Sequence, residues 1–171
     1  MRMGKRDLCG GIFLLFFVIS TTTVAASDDK LSRQSLRNLG AVHISVERVD
    51  PEVQREGLTE KAIETLVQAT LQRAGIGILS RGQWLAEPGN PFLYVHANVF
   101  KLSETNEYIY AVRVALKQTV YPVREPIEII GAATWSVGGS IGITPSLEKI
   151  RTSIQEEVDQ FVVAYRAMNP R

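Results

Sequence analysis

Residues 57–80 read Gly-Leu-Thr-Glu-Lys-Ala-Ile-Glu-Thr-Leu-Val-Gln-Ala-Thr-Leu-Gln-Arg-Ala-Gly-Ile-Gly-Ile-Leu-Ser, which predicts one helix followed by one strand. Thr59 is a residue type that caps the N-terminus of helices. Leu58 and Ile63 stand at the spacing of a hydrophobic staple across the first turn. The helix is therefore predicted to begin near Glu60.

The apolar residues of this helix recur at three- and four-residue steps, which predicts one buried face. They are Ala62, Ile63, Leu66, Val67, Thr70, Leu71 and Ala74. Gly75 suits the left-handed conformation that ends many helices, and Ile76 would then pack back on Leu71. Both ends of the helix are therefore marked in the sequence.

Strands are predicted on both sides of this helix. Apolar and polar side chains alternate over residues 41–49, as in a strand with one buried face, and residues 51–55 read as the loop into the helix. Residues 76–79 predict a second strand. A right-handed crossover through the helix would make the two strands parallel, so the unit is β-α-β.

The second half of the chain predicts an antiparallel meander and a final helix. Residues 81–91 read as a loop in which Trp84 turns toward apolar surface. The predicted strands cover residues 92–102, 108–121 and 127–137. Residues 138–143 predict a flexible connection, after which Thr144 caps a helix that has Pro145 in its first turn and runs nearly to the C-terminus.

These elements predict an α+β fold, a two-layer sandwich with two helices on one face of a mixed five-stranded sheet in the order β-α-β-β-β-β-α. Residues 41–170 suit a single domain. Residues 27–40 are polar with scattered leucines and are predicted to form a flexible arm. The second face of the sheet is predicted to stay open.

The first residues have the pattern of a secretory signal peptide, with basic residues, then an apolar run, then small residues up to Ala26. The run is roughly 10 to 14 residues long, short of the ~20 that a membrane-crossing helix needs. Cleavage is predicted near Ala26, and an uncleaved membrane anchor is the alternative. Cys9 precedes the run, so cleavage would leave no cysteine for disulfides or thiol chemistry. Export without disulfides favours the bacterial periplasm or secretion.

The charge balance argues against nucleic-acid binding. Residues 1–26 carry three of the 19 basic and one of the 18 acidic residues, so their removal leaves a net charge of −1. Nucleic-acid-binding proteins usually carry a basic cluster, which this chain lacks.

The open face of the predicted sheet carries the candidate binding residues. Strand alternation places polar and aromatic side chains there, beside His43, Ser45 and Glu47 of the first strand. The predicted partner-binding residues are Tyr94, His96, Asn98, Arg113 and Lys117. Aromatic and Arg side chains dominate interface energetics, so this face is predicted to bind a partner protein. Because export to the bacterial envelope is predicted, the expected partner is an unidentified envelope protein. The alternative is that these residues serve strand stability alone.

No catalytic, cofactor-binding or metal-binding residue is predicted. His43 and His96 are the only histidines, and with Glu47 and Asp50 nearby they offer too weak a ligand set for a metal site. Ser140 stands among glycines, but the spacing does not fit the nucleophile motif of serine hydrolases. The absence of a following lysine argues against a phosphate-binding loop.

Several short motifs resemble those of small uncharacterised exported bacterial proteins. They are Gly57-Leu58-Thr59, Ala74-Gly75-Ile76, Leu93-Tyr94-Val95, Ala133-Thr134-Trp135-Ser136 and Asn169-Pro170. The resemblance covers about residues 42–170 and implies an exported single domain without an assigned activity. The element order is also similar to that of envelope-assembly α/β domains, the amino-terminal domain of the Tol-system propeller protein and lipopolysaccharide-assembly lipoproteins, which implies protein contacts.

The sequence therefore predicts an exported interaction or accessory module of the cell envelope that is not an enzyme. The alternative is a periplasmic carrier that holds a small apolar ligand or lipid between the sheet and Trp84 or Trp135. A hydrolase is the third possibility. An exposed edge strand could also pair two copies, although no oligomeric state is predicted.

Overall fold

Helices cover one face of a mixed sheet in the computed structural model, which describes residues 28–170. The predicted leader, residues 1–26, lies outside the described residues. The elements are α1 (Lys30–Arg33), a 3₁₀ turn (Gln34–Leu36), β1 (Ala41–Val46), α2 (Pro51–Arg55), α3 (Glu60–Ala74), β2 (Gly77–Ile78), α4 (Arg81–Ala86), β3 (Phe92–Leu102), β4 (Glu107–Val120), β5 (Ile129–Ser136), β6 (Ser140–Thr144) and α5 (Leu147–Met168). The predicted α+β two-layer sandwich is confirmed.

Helix α3 has the ends that its sequence predicts. The Thr59 hydroxyl accepts a hydrogen bond from the Ala62 N–H at 3.1 Å. Gly75 adopts the left-handed conformation, with φ at 73°. The Ile76 N–H then donates to the Leu71 carbonyl at 3.0 Å, which satisfies a carbonyl of the last turn.

The sheet has the order β2-β1-β3-β4-β5, with β1 parallel to both β2 and β3 and the remaining pairs antiparallel. The predicted β-α-β unit and meander are therefore present. Strand β6 also pairs with β4, on the side that β5 occupies. Residues 115–120 of β4 pair with β5, and residues 108–112 pair with β6. The two strands together fill the fifth position of the sheet.

The prediction of a flexible connection over residues 138–143 is wrong, because most of that segment belongs to β6. Gly139 explains how pairing with β4 resumes after β5. Its φ is 88°, and a Cβ on this residue would lie only 2.8 Å from the Val112 carbonyl oxygen. Glycine thus allows the chain to bulge closely past β4 and continue as a strand.

Two predicted loops also contain short helices, α2 and α4. Asp50 caps α2 by accepting the Glu52 N–H at 2.8 Å, and Pro51 occupies the first turn, where proline lacks a donor that would be unpaired anyway. Ser80 and Gln83 form a reciprocal capping box at the start of α4. The prolines and glycines nearby indicated turns, but these caps start helices.

The last helix begins two residues later than predicted. Its N-cap is Ser146, which makes no side-chain cap, and the first helical residue is Leu147. The Thr144 hydroxyl instead accepts the Ser146 N–H at 3.2 Å. Thr144 is the last residue of β6, so it ends a strand and does not cap a helix.

Residues 28–40 are packed against the sheet and α5, which differs from the predicted arm. Leu36 is completely buried in the core. The Asp28 carboxylate accepts hydrogen bonds from Arg33 and from the Trp135 indole N–H, the latter at 2.8 Å. Asn169 closes the same region, since its amide donates to the Leu36 carbonyl at 2.7 Å. Leu36 and Leu39 of this polar segment therefore belong to the core, whereas Leu31 is exposed.

Two carboxylates are expected to make the fold sensitive to acid. Hydrogen bonds from Arg33 and then from Trp135 lower the pKa of Asp28, against the opposing effect of desolvation. Hydrogen bonds from Lys101 and Tyr108 lower the pKa of Glu56. A carboxyl whose pKa is lower in the folded state stabilises it above the unfolded pKa, about 4, and loses that contribution as the pH falls through the folded value.

We therefore expect the free energy of unfolding to fall between about pH 5 and pH 2, and to fall less in the double variant Asp28→Asn, Glu56→Gln. Urea unfolding followed by circular dichroism across this range measures the slope. Glu104→Gln, in the exposed turn between β3 and β4, is the control for charge removal. An unchanged slope in the double variant would contradict the assignment of acid sensitivity to these two groups.

Candidate protein-binding face

The five predicted binding residues lie together on neighbouring strands. They project from the side of the sheet that faces away from α3 and α5, here called the open face. His96 on β3 stands directly opposite Arg113 on β4 in the antiparallel register. Tyr94 and Asn98 are the next open-face residues of β3, and Lys117 lies further along β4, opposite Phe92. Strand alternation alone was sufficient to predict this cluster.

Charge and aromatic contacts organise the cluster. The Lys117 ammonium lies 3.5 Å from the centre of the Tyr94 ring, which is a cation–π contact. His96 Nε2 lies 3.6 Å from a carboxylate oxygen of Glu47 on the loop after β1. Arg113 is exposed, and among residues 28–170 no hydrogen bond or ion pair of its guanidinium is present. Arg113 is thus the cation of this cluster that is available to an incoming carboxylate.

The open face is covered at one corner by α4, so the prediction of a wholly open face is wrong there. The Trp84 ring stacks on His43 at 5.4 Å between ring centres and meets the edge of Phe92 at 5.8 Å. Its indole N–H donates to the Asn90 carbonyl at 2.7 Å. His43 Nδ1 lies 3.0 Å from the Leu79 carbonyl oxygen. These contacts fix α4 over β1 and β3, and Trp84 is turned toward apolar surface as predicted.

A hollow of about 230 Å³ opens beside Trp84. Its walls are His43, Ser45, Arg81, Trp84 and Phe92. Trp135, the other tryptophan considered for a ligand, is completely buried on the helix side of the sheet. It is part of the core, so only Trp84 is placed to touch a ligand.

Sequence reasoning missed an apolar group at the other end of the open face. Phe100, Ile109 and Ile143 form one row across β3, β4 and β6, because Phe100 is opposite Ile109 and Ile109 is opposite Ile143. Ile141 lies in the neighbouring row of the same face, opposite Ala111. Phe100, Ile109, Ile141 and Ile143 are exposed to 52%, 40%, 83% and 61% and are here called the isoleucine patch. A contiguous exposed apolar patch of this kind is typical of an interaction surface.

The signal that would have found this patch is the alternation Ser-Ile-Gly-Ile-Thr in residues 140–144. This is the period of a strand with one apolar face. The surrounding glycines favoured a loop interpretation, and the two isoleucines were therefore not assigned to any face.

Ser140 and the two histidines lie on opposite sides of the sheet. Ser140 stands opposite the buried Val112, and its hydroxyl donates to a carboxylate oxygen of Glu157 on α5 at 2.5 Å. Glu157 is itself buried. His43 and His96 project from the open face, so Ser140 has no histidine beside it. Its observed role is to join β6 to α5.

Within residues 28–170, no group of three His, Cys, Asp or Glu side chains is arranged to hold a metal ion. The helices of this part of the chain also include none that is both long and apolar enough to cross a membrane.

The fold and its exposed face define a two-layer α+β domain with a partly covered sheet. No protein-family model, curated protein or solved structure matches the chain. Function is therefore inferred from the chemistry of the open face.

Proposed function

We propose that this protein is an exported, non-catalytic interaction module of the bacterial cell envelope that binds a partner protein through its open face. The observation that carries the proposal is the isoleucine patch lying beside the cluster of Tyr94, His96 and Arg113 on the same face. Burial of apolar surface favours protein association, and aromatic and Arg side chains act as the anchors that dominate interface energetics. The face combines both.

The charges of the face indicate the chemistry of the partner. Arg113 and Lys117 are basic, while the nearby carboxylate of Glu47 already lies beside His96. A guanidinium forms paired hydrogen bonds with a carboxylate, and these bonds strengthen when a partner excludes water. The expected partner surface therefore has apolar side chains opposite the isoleucine patch and an Asp or Glu opposite Arg113.

The proposal is tested by crosslinking intact cells, purifying the tagged protein and identifying what is captured by mass spectrometry. We expect the wild type to capture an envelope protein, and the captured amount to fall by at least about tenfold in Arg113→Glu and in Ile109→Glu. Arg113→Glu puts a charge of the wrong sign into the interface, and Ile109→Glu puts an unpaired charge there.

The matched controls are Arg166→Glu and Val163→Glu, which make the same kinds of change on exposed positions of α5, in the helix layer. Both are expected to retain the partner. Capture that survives both open-face variants, or that is lost equally in the α5 controls, would contradict binding through the open face.

A carrier function is the second candidate, and the hollow beside Trp84 favours it. Its volume of about 230 Å³ is below the ~300 to 1,000 Å³ of most small-molecule sites, so only a small ligand would fit. If this hollow binds a small apolar molecule from a lipid extract, adding the extract should shift the emission of Trp84. The Trp84→Phe variant, which keeps Trp135, provides the background, and equal emission changes in both proteins would count against a carrier.

A further inference from the structure

Strand β6 is an unprotected edge of the sheet. Its five residues pair with β4 in an unbroken register, and in the described part of the chain no strand pairs with its other side. Natural edge strands are usually protected by a charged residue, a proline or a bulge. β5 has register shifts against β4, whereas β6 has none of these devices between Ser140 and Thr144. Its outer hydrogen-bonding groups are thus available to another strand.

The sequence of β6 is nearly symmetric about its middle residue. Gly142 is flanked by Ile141 and Ile143, and then by Ser140 and Thr144. In an antiparallel pair of two β6 strands related by a two-fold axis at Gly142, Ile141 would stand opposite Ile143 of the second copy. Ser140 would stand opposite Thr144 of the second copy. The isoleucine pairs on one face and the Ser–Thr pairs on the other then join side chains of the same kind, which is favourable on both faces of the sheet.

We propose that two copies of this chain form a two-fold symmetric dimer by antiparallel pairing of their β6 strands. The occupant of the edge is a second copy because a symmetric interface must be complementary to itself, and the β6 sequence has this property. This inference does not depend on the proposed function, since it concerns the edge of the sheet and not the partner of the open face.

The helix layer fits the same arrangement. Helix α5 packs beneath β4 and β6. Neighbouring strands are about 4.8 Å apart, so two α5 helices that each lie midway between their own β4 and β6 would be separated by two strand spacings, about 10 Å. Helices pack against each other at about 8 to 10 Å. Joining the sheets would therefore also bring the two α5 helices into contact.

Charges on α5 are placed to be complementary across the same axis. Gly142 and Ser153 lie at the same height along α5, because both are close to the Tyr110 hydroxyl oxygen. A Cβ on Gly142 would lie 3.0 Å from this oxygen, and the Ser153 hydroxyl oxygen lies 3.4 Å from it. Lys149 and Glu156 are exposed and share the helix flank of Ser153. Along the helix axis, Lys149 lies about 6 Å before Ser153, and Glu156 lies about 4.5 Å after Ser153. The two-fold axis would bring Lys149 close to Glu156 of the second copy.

The dimer would also enlarge the open face. Ile141 and Ile143 project from that face at the edge, so pairing would place the isoleucine patches of the two copies side by side. The two polar clusters would lie on either side of this apolar centre. A single continuous surface would result, with one Arg113 at each end.

Sedimentation velocity of the protein purified from cells expressing the full chain, across micromolar concentrations, tests the proposal. We expect a concentration-dependent dimer. The double variant Ile141→Lys, Ile143→Lys would place lysines opposite lysines and raise the dissociation constant by more than about tenfold. Ile130→Lys is the control, because Ile130 is 74% exposed and lies at the far end of the same edge. A wild type that stays monomeric, or a dimer that persists in the folded double variant, would overturn the proposal.

A cysteine pair tests the register independently. Cys9 is the only cysteine of the chain, so Cys9→Ser gives a clean background. Ile141→Cys with Ile143→Cys would bring opposing Cβ atoms to about 4.5 to 5.5 Å, close enough for disulfides after small adjustments. Mild oxidation should give a covalent dimer, whereas Ile127→Cys with Ile130→Cys should not. Covalent dimer in the control pair alone would contradict pairing through β6.

Discussion

Replacing Trp135 by alanine is expected to lower the free energy of unfolding by about 3 to 5 kcal/mol. The side chain is completely buried and is among the largest in the core. Its ring meets the Phe161 ring at 5.4 Å between centres, so it joins the sheet to α5. The Trp135 indole N–H also donates a hydrogen bond to the Asp28 carboxylate, and the variant would leave that carboxylate without one of its donors. A cavity and a lost hydrogen bond therefore add together.

Trp84→Ala is the matched control, since it removes the same side chain from a half-buried position on α4. Its expected cost is about half as large or less, because a partly exposed ring buries less apolar surface. Urea unfolding followed by circular dichroism compares the two variants without relying on tryptophan emission. A larger loss of stability in Trp84→Ala would contradict the assignment of Trp135 to the central core.

Gly139→Ala is expected to lower the free energy of unfolding by about 2 to 4 kcal/mol, from backbone strain and a steric clash. The φ of Gly139 is 88°, a conformation that alanine rarely adopts. The new Cβ would also lie 2.8 Å from the Val112 carbonyl oxygen, which belongs to β4 and has little freedom to move. The substitution would therefore strain the bulge between β5 and β6.

Gly138→Ala, one residue earlier, is the control. No heavy atom lies within 4 Å of a Cβ built at Gly138, and its φ is outside the left-handed region. The cost there should be within about 1 kcal/mol of zero, since only the general difference between glycine and alanine remains. Chemical denaturation of both variants measures the difference. Equal costs would show that the close approach of Gly139 to β4 does not determine how β6 is placed.

The sequence was most informative where local chemistry determines structure. Thr59 and Gly75 fix the two ends of α3 through their own side chain and conformation, and both effects are visible without the rest of the fold. Strand β3 was likewise predicted with its observed bounds, because its alternating pattern is long and uninterrupted.

The sequence was least informative where strand pairing depends on residues far away in the chain. Ser140 to Thr144 become a strand only because β4, about 30 residues earlier, offers free hydrogen-bonding groups beside β5. The polar cluster around Arg113 followed from alternation within β3 and β4, whereas the isoleucine patch required β6. The alternation in residues 140–144 indicates a strand with one apolar face, but the place of that strand beside β4, like the cover that Trp84 provides, follows from tertiary packing.

The central claim is that the open face binds an envelope protein, and site-specific photo-crosslinking in intact cells tests it most directly. A photoreactive amino acid replaces Asn98 at the centre of the face or, as the control, Val163 on α5, since both positions are exposed. We expect position 98 to form an adduct with a different envelope protein and position 163 to form none with it. The same adduct from both positions, or none at position 98 except with a second copy of this chain, would contradict the claim.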